Sequence, residues 1–279
     1  MKNKIRNISS MFVYVLIIAI FISPIAFLLK ASFMDQIEIS FLFSMESTFG
    51  DWIQLLPRYP TLAVYFDLLI KSPEYYVLFW NSVKLSVLIL SGQLIIGALT
   101  AWGLARYKFY GNSFLFLAYV IIMVLPFQST MLAQYLTLDK LSLLNSHSGL
   151  IWLSVFSALP VFFLYQSFRA IDEEILDAAR LDGAGEVKLL LYIGVPMGRT
   201  GIYTVLVLGF LECWNMLEQP LMFVSTKSLW PVSLYLSNVE FDSCGNIFAA
   251  AILSMIPAYL IFSIGQSYLE SGISTMGKK

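Results

Sequence analysis

Six runs of about twenty apolar residues limit what this chain can fold into. They cover Met11 to Leu29 and roughly 80–105, 113–136, 148–168, 200–223 and 246–268. A run of that length crosses the hydrocarbon of a bilayer as a helix, and in lipid a lone segment can satisfy its backbone only by forming one. The chain therefore reads as an all-α membrane protein with six transmembrane helices. Composition agrees, with 58% apolar and 13% charged residues, against about half and about a quarter in soluble domains. Pro24, Pro126, Pro160 and Pro257 fall inside the runs. Such breaks are tolerated where neighbours re-satisfy the freed carbonyls, so kinked helices around a cavity and simple irregularity are both open readings.

Lys2, Lys4 and Arg6 ahead of the first run mimic a secretory leader. The run is too long for a leader and lacks a small-residue cleavage site, so it is expected to stay as a helix. With the N-terminus inside, the inner segments hold Lys2, Lys4, Arg6, Arg106, Lys108, Arg169, Arg180, Lys188, Arg199, Lys278 and Lys279. The outer segments hold Lys30, Arg58, Lys71, Lys84, Lys140 and Lys227. The excess of positive charge inside puts both termini in the cytoplasm. Three parts follow: 1–30, an N-terminal tip and the first span; 31–76, an extracytoplasmic segment; and 77–279, a five-helix core with a cytoplasmic loop at 170–199. Within the outer segment, Leu62, Tyr65, Phe66 and Leu69 have helical spacing, which predicts a short interfacial helix ending before Pro73. Tyr75, Tyr76, Phe79 and Trp80 then mark the outer membrane boundary.

Several function classes find no support. A net charge of −1 without a basic tract gives no sign of nucleic-acid binding. The lone His147 has no Cys or His nearby, and Cys213 and Cys244 lack metal-ligand spacing and read as small buried hydrophobes. No internal repeat points to a secondary transporter. No G-x-x-x-x-G-K-[ST] sequence is present, so the chain carries no nucleotide site of that kind.

The loop between the fourth and fifth spans is unusual for its charge. Asp172 is a plausible N-cap, and Glu173 and Glu174 favour the positive end of a helix dipole. Ile175, Ala178, Ala179 and Asp182 fall on one face, where small alanines admit a close partner. Gly183 can take the positive φ that ends a helix, and Pro196 marks a break before the membrane. A short helix offered to a groove is one reading, and an ordinary solvated helix-turn-helix the other. In the fifth run, Glu212 and Glu218 are costly in lipid and should face a cavity or partner. Six residues apart on one helix, they would point to roughly opposite faces. Trp214 could stack on a sugar ring, and Asn215 could bond hydroxyls.

Asp177-Ala178-Ala179, Gly183, Ile193 and Pro196 resemble the EAA loop of bacterial ABC-importer permeases, with Asp177 for the usual Glu and Val195 for the usual Leu. The likeness runs along nearly the whole chain. Phe79-Trp80-Asn81-Ser82, Ala101 to Gly111, Val124-Leu125-Pro126, Ile171 to Ala179, Trp214-Asn215 with Pro220-Leu221, and Gln266 with Glu270 to Ile273 resemble motifs of the MalG-like carbohydrate group. The chain departs from that group in lacking the second proline after Pro196, and in carrying Glu212 and Glu218.

The resemblance implies a type I ABC-importer permease subunit of the bacterial cytoplasmic (inner) membrane, carrying a carbohydrate of oligosaccharide size. A polyol, glycerol phosphate or other organic solute is the alternative cargo. It implies a second, unlike permease, a cytoplasmic ATPase dimer that holds ATP and Mg, and an extracytoplasmic solute-binding protein, with no cofactor on this chain. The ATPase-docking residues would be Glu174, Asp177, Ala178, Ala179, Asp182, Gly183, Ala184 and Pro196. The substrate pathway would include Glu212, Trp214, Asn215 and Glu218.

Overall fold

The computed structural model describes residues 2–44, 47–54, 56–238 and 244–276, without the side chains of 2–10, 12, 49, 53, 244 and 270–276. The expectations for Lys2, Lys4, Arg6, the Cys244 side chain, Glu270 to Ile273, Lys278 and Lys279 therefore lie outside the described residues. Everything regular among those residues is helical. In chain order the helices are α1 (Lys2–Ser32), α2 (Gln36–Leu42), α3 (Phe49–Ile53), α4 (Ala63–Phe66, continued by a π-turn over Asp67–Lys71) and α5 (Pro73–Arg106). Then come α6 (Asn112–Val124), α7 (Phe127–Lys140), α8 (His147–Val155), α9 (Ala158–Arg169) and α10 (Glu173–Leu181). They are followed by α11 (Glu186–Leu189), a wide turn over Leu190–Gly194, α12 (Val195–Met197) and α13 (Arg199–Trp214). The last are α14 (Glu218–Phe223), α15 (Val232–Ser237) and α16 (Cys244–Met276).

Among the described residues, Val13–Ser32, Pro73–Arg106, His147–Arg169 and Gly245–Leu269 are long and apolar enough to cross a membrane. Two bent pairs raise the four to six if each is one span: α6 with α7 at 100°, and Glu186–Met197 with α13 at 74°. The third apolar run is thus not a straight helix; the second bend, at Gly198, precedes the fifth run, which is itself interrupted between Trp214 and Glu218. Proline chemistry explains where the runs break. Pro126 forces Leu125 into extended backbone (ψ 127°) and caps α7. Pro160 and Pro220 lie in the first turns of α9 and α14, where a missing N–H costs little. The breaks precede them, at Phe156–Ser157 and Asn215–Leu217. Pro24 and Pro257 instead lie inside continuous helices.

The chain divides into two compact units, residues 1–76 with 235–256, and 77–234 with 257–279. In the first, Ala31, Met34, Ile39 and Leu42 form a core against Phe27 and Phe248. The Trp52 ring stacks on Phe27 at 5.7 Å and meets Phe43 edge-on at 5.3 Å. Buried Lys30 donates its Nζ to the Asp51 carbonyl at 3.0 Å. Thr48 and Asp51 form a capping box on α3, and Asp51 also pairs with Arg58. The Thr48 hydroxyl and amide, and then Arg58, hold the Asp51 carboxyl below the usual carboxylate range. Tyr75 takes part in the packing of this unit. It is buried, with its hydroxyl 3.5 Å from the Ser254 hydroxyl.

In the second unit, one core joins α5, α9, α10 and α13 through Trp102, Leu164, Phe168, Leu176 and Val205. Another joins α5, α7, α8 and α13 through Leu85, Ile89, Leu138, Leu150 and Cys213. Small residues let these helices close on each other, as is common in membranes. A Cβ on Gly194 would lie 2.6 Å from the Trp102 ring, and one on Gly201 would strike the Ser167 side chain. Polar contacts stitch α5, α8 and the segment after α14 together. Asn145 accepts from the Ser225 and Thr226 amides at 3.1 and 3.0 Å, Asn81 donates to the carbonyls of Ser228 and Trp230, and His147 Nε2 lies 2.9 Å from the Leu229 carbonyl.

Candidate functional site

Two features of the second unit bear on function. The first is the loop helix α10. Asp172 precedes it in extended backbone (φ −64°, ψ 133°) without a side-chain cap bond. Gly183 ends it with φ +82°. Its amide donates to the Arg180 carbonyl, and the Ala184 amide to the Ala179 carbonyl, both at 3.0 Å, which is a Schellman close. Leu176 is fully buried, and Ala179 and Ala184 pack on the same core. Glu174, Ile175, Asp177, Ala178 and Asp182 are exposed.

The expected face is therefore divided. Ala179 lies about 60° around the helix from Leu176 and turns inward with it. The outward surface gains Leu181, 90% exposed, together with Val187 and Tyr192 beyond the bend. Pro196 is exposed in α12, and the chain bends two residues later, at Gly198.

Charged side chains that the sequence reading left unassigned fix the angle of α10. Arg106, at the end of α5, donates to the carbonyls of Phe168 and Ile171 and to Glu173 Oε2 at 3.0 Å, and lies over the Trp102 ring. Its side chain is only 4% exposed. Arg180 bridges Glu173, Asp177 and Glu186, and Trp102 donates its ring N–H to Glu186 at 3.2 Å. These bonds, to Glu173 above all, raise the Arg180 pKa further. Arg106 was visible in the sequence as the charge that closes a long apolar run.

The second feature is a cavity of about 510 Å³. Three helix breaks line it: Leu125 and Phe127, Phe156 to Ala158, and Asn215 to Leu217. Irregular backbone at membrane depth is tolerated where it lines a cavity or is buried in protein. Glu212, Asn215 and Glu218 all line this space. The expectation of opposite faces is corrected. It assumed one helix, but α13 ends at Trp214 and Glu218 starts α14, so the chain turns both carboxylates to one cavity. Glu218 accepts from Gln128 Nε2 at 2.8 Å. Trp214 is outside the lining. It is 4% exposed, stacked on Phe210 at 5.4 Å and edge-on to Phe79 at 5.6 Å, so its ring faces are engaged by protein. Gln93, Gln134 and Ser154 also line the cavity and were missed. The signal was a polar residue within an apolar run, as at Gln93.

A family described as "Binding-protein-dependent transport system inner membrane component" matches residues 93–275. The arabinooligosaccharides transport system permease protein AraQ of Halalkalibacterium halodurans is 27% identical over 271 residues, 96% of this chain and 94% of that protein. The diacetylchitobiose uptake system permease protein NgcG of Streptomyces coelicolor is 30% identical over 203 residues, 70% of this chain and 67% of that one. Among solved structures, a chain of a bacterial ABC transporter involved in the import of the acidic polysaccharide alginate superposes with a TM-score of 0.82 at 18% identity. The match covers 96% of this chain and 98% of that one, and shows a shared fold.

Proposed function

Because the chain belongs to the family of binding-protein-dependent transport system inner membrane components, we propose that it is one permease half of an ABC importer for a carbohydrate of oligosaccharide size. It is the permease component, not the ATPase. In this reading six spans cross the membrane with both termini in the cytoplasm, an unlike permease completes the pathway, and an ATPase dimer and a solute-binding protein act on opposite sides.

The observation that carries the reading is α10, a short helix held at a fixed angle with Ile175, Ala178, Leu181 and Asp182 turned outward. The side assignments support it. Arg106, Glu173 and Glu186, all inner by the charge rule, are joined to one another. Among segments expected outside, Asn81 donates to the Ser228 carbonyl, Asn145 to the Thr226 hydroxyl, and His147 lies beside the Leu229 carbonyl. Bound ATP would supply the energy on the ATPase. A shift of α10 would then pass to α5 through Arg106, and to α9 and α13 through the core around Phe168 and Leu176. α9 begins and α13 ends at breaks that line the cavity, and α5 adds Gln93 to its wall, so its exposure would change as a rigid body moves. The relatives' sugar cargo and the cavity's uncommitted carboxylate at Glu212 support carbohydrate.

The test is ATP-dependent uptake into vesicles that hold this chain, its partner permease, the ATPase and the binding protein. Arabinotriose, diacetylchitobiose and maltotriose serve as cargo. Uptake of at least one, lost when Leu181→Asp prevents ATPase capture, is expected. Uptake that proceeds without the ATPase would reject the reading.

A further inference from the structure

We infer that Asn81 and Asn145 are positioning residues for transport, holding the cavity wall at the break between α13 and α14 through the strap that follows α14; the inference rests on the transport function proposed above. The break has little to fix it from within. Leu217 leaves the helical region (φ −125°, ψ −54°), and the Met216 amide reaches the Cys213 carbonyl only at 3.4 Å. The six residues of α14 are too few to hold a helix by themselves. Yet Asn215 to Gln219 form part of the cavity wall.

The strap, residues 224–233, bends back on the break, where the Ser233 hydroxyl donates to the Met216 carbonyl. The Trp230 ring N–H closes the strap on itself at the Val224 carbonyl, 2.9 Å away. Before α15 its only regular piece is one 3-10 turn at Lys227–Leu229, so its backbone groups need partners from elsewhere. α5 and the turn before α8 supply them with opposite chemistry. Asn81 donates its two amide N–H groups to the carbonyls of Ser228 and Trp230, at 2.8 and 3.1 Å, and buried Ser82 accepts from the Val232 amide at 2.8 Å. Asn145 Oδ1 instead accepts from the Ser225 and Thr226 amides, and the Asn145 backbone N–H holds the Phe223 carbonyl, the end of α14, at 2.8 Å. Both ends of α14 are thereby tied, one through Asn145 and the other through Ser233 and Met216. Asn81 and Ser82, met in the sequence only as part of a motif, anchor the tie to α5.

One substitution made at both asparagines tests the assignment. Asn81→Asp turns a double donor into a carboxylate facing two carbonyls. Asn145→Asp keeps oxygens for the two amides, and the Thr226 hydroxyl, which accepts from Asn145 Nδ2, can turn to donate. Hydrogen exchange is followed by mass spectrometry on the purified complex of this chain, its partner permease and the ATPase. Peptides covering 215–219 should exchange about thirtyfold faster in Asn81→Asp, the effect of two lost hydrogen bonds, with those of α10 unchanged. Asn145→Asp should match the parent. Asn145→Gly accepts the backbone angle there, φ +54°, but offers no carbonyl, and should behave like Asn81→Asp. Ser82→Ala removes one acceptor and should quicken the same peptides about fivefold, which keeps the test open if Asn81→Asp does not assemble. In vesicles, glycan moved per ATP hydrolysed should fall wherever the break loosens and hold in Asn145→Asp. Equal exchange in the two Asp variants, or a loosened strap beside a parental 215–219, overturns the positioning role. A loosened break with parental transport overturns its bearing on transport. The exchange comparison needs no cargo, so failure of the parent to take up any of the three glycans would reject the proposed function while the strap is still judged.

Discussion

Arg106 is the single side chain on which the angle of α10 depends most. Replacing it with Met keeps most of the buried volume and removes every donor. The carbonyls of Phe168 and Ile171 lose a partner at a nearly closed site, since the Arg106 side chain is 4% exposed. An unmet buried acceptor costs about 1–3 kcal/mol, and the Phe168 carbonyl still accepts from the Ile171 amide at 3.2 Å. The bond to Glu173 adds little, because that carboxylate is 56% exposed and screened. Together these give about 2 kcal/mol of lost local stability, or about thirtyfold in an opening equilibrium. Hydrogen exchange resolved by mass spectrometry reads this directly on peptides covering 173–184. Those peptides should exchange about thirtyfold faster in Arg106→Met, and those of α8 should be unchanged. Exposed Lys108→Met is the control and should be silent. Arg106→Lys should recover part of the effect, since one ammonium cannot span three acceptors. Unchanged exchange at 173–184 in Arg106→Met would refute the reasoning, and the core around Leu176 would then hold α10 alone.

Other outcomes follow from the same geometry. Leu181→Asp should leave the permease folded but abolish ATPase capture in a pull-down, whereas Ala179→Asp, which buries a carboxylate against the core, should lower the yield of folded chain; the reverse pattern would invert the assigned faces. In a variant lacking Cys213 and Cys244, Val187→Cys should resist an impermeant outside reagent while Tyr59→Cys should react with it, and the opposite labelling would overturn the topology. Glu212→Gln should change uptake without changing co-purification of the partner permease, and parental uptake in both Glu212→Gln and Glu218→Gln would remove the carboxylates from the pathway. The depressed Asp51 carboxyl should order residues 48–58 above the unfolded carboxylate pKa of about 3.9, with that order lost as pH falls through the lower folded value. Exchange of the Thr48 amide should therefore quicken only in acid, and a pH-independent Asp51→Asn would show the same fast rate throughout.

The all-helical membrane class and the loop helix were legible because each rests on a local rule: apolar length, and a glycine placed to end a turn. Gly183 is the clearest case, since its positive φ follows from the residue type and its place after Leu181. The path of the fifth run was not legible in the same way. Hydropathy is blind to backbone geometry, and the run from 200 to 223 stays apolar across the break at Asn215–Leu217. Pro220 held part of the missing information, since a proline disfavours the turn before it, but Pro24 and Pro257 in unbroken helices show that the residue type alone does not place a break. Trp214 and Ala179 misled for another reason. Which side of a helix faces inward depends on what packs there: Phe79 of α5 meets Trp214, and the core that takes Ala179 is drawn from α5, α9 and α13.

The glycine contacts of the second unit set its mechanical character. Where a helix pair has no space for even a methyl group, as at Gly194 against Trp102 and Gly201 against Ser167, neither helix can slip or swivel without collision. Such a body is stiff. A push applied at one end arrives at the other with little lost to bending, which is what a strut needs and a spring lacks. Stiffness also divides the chain by tolerance. Positions in the strut are closed to larger residues, while the outer face of α10 and the short linkers beside the cavity are not so confined. If α10 docks the ATPase and the cavity passes the cargo, as proposed, one frame accepts a different motor or a different cargo by changes at its two ends, with the middle left untouched.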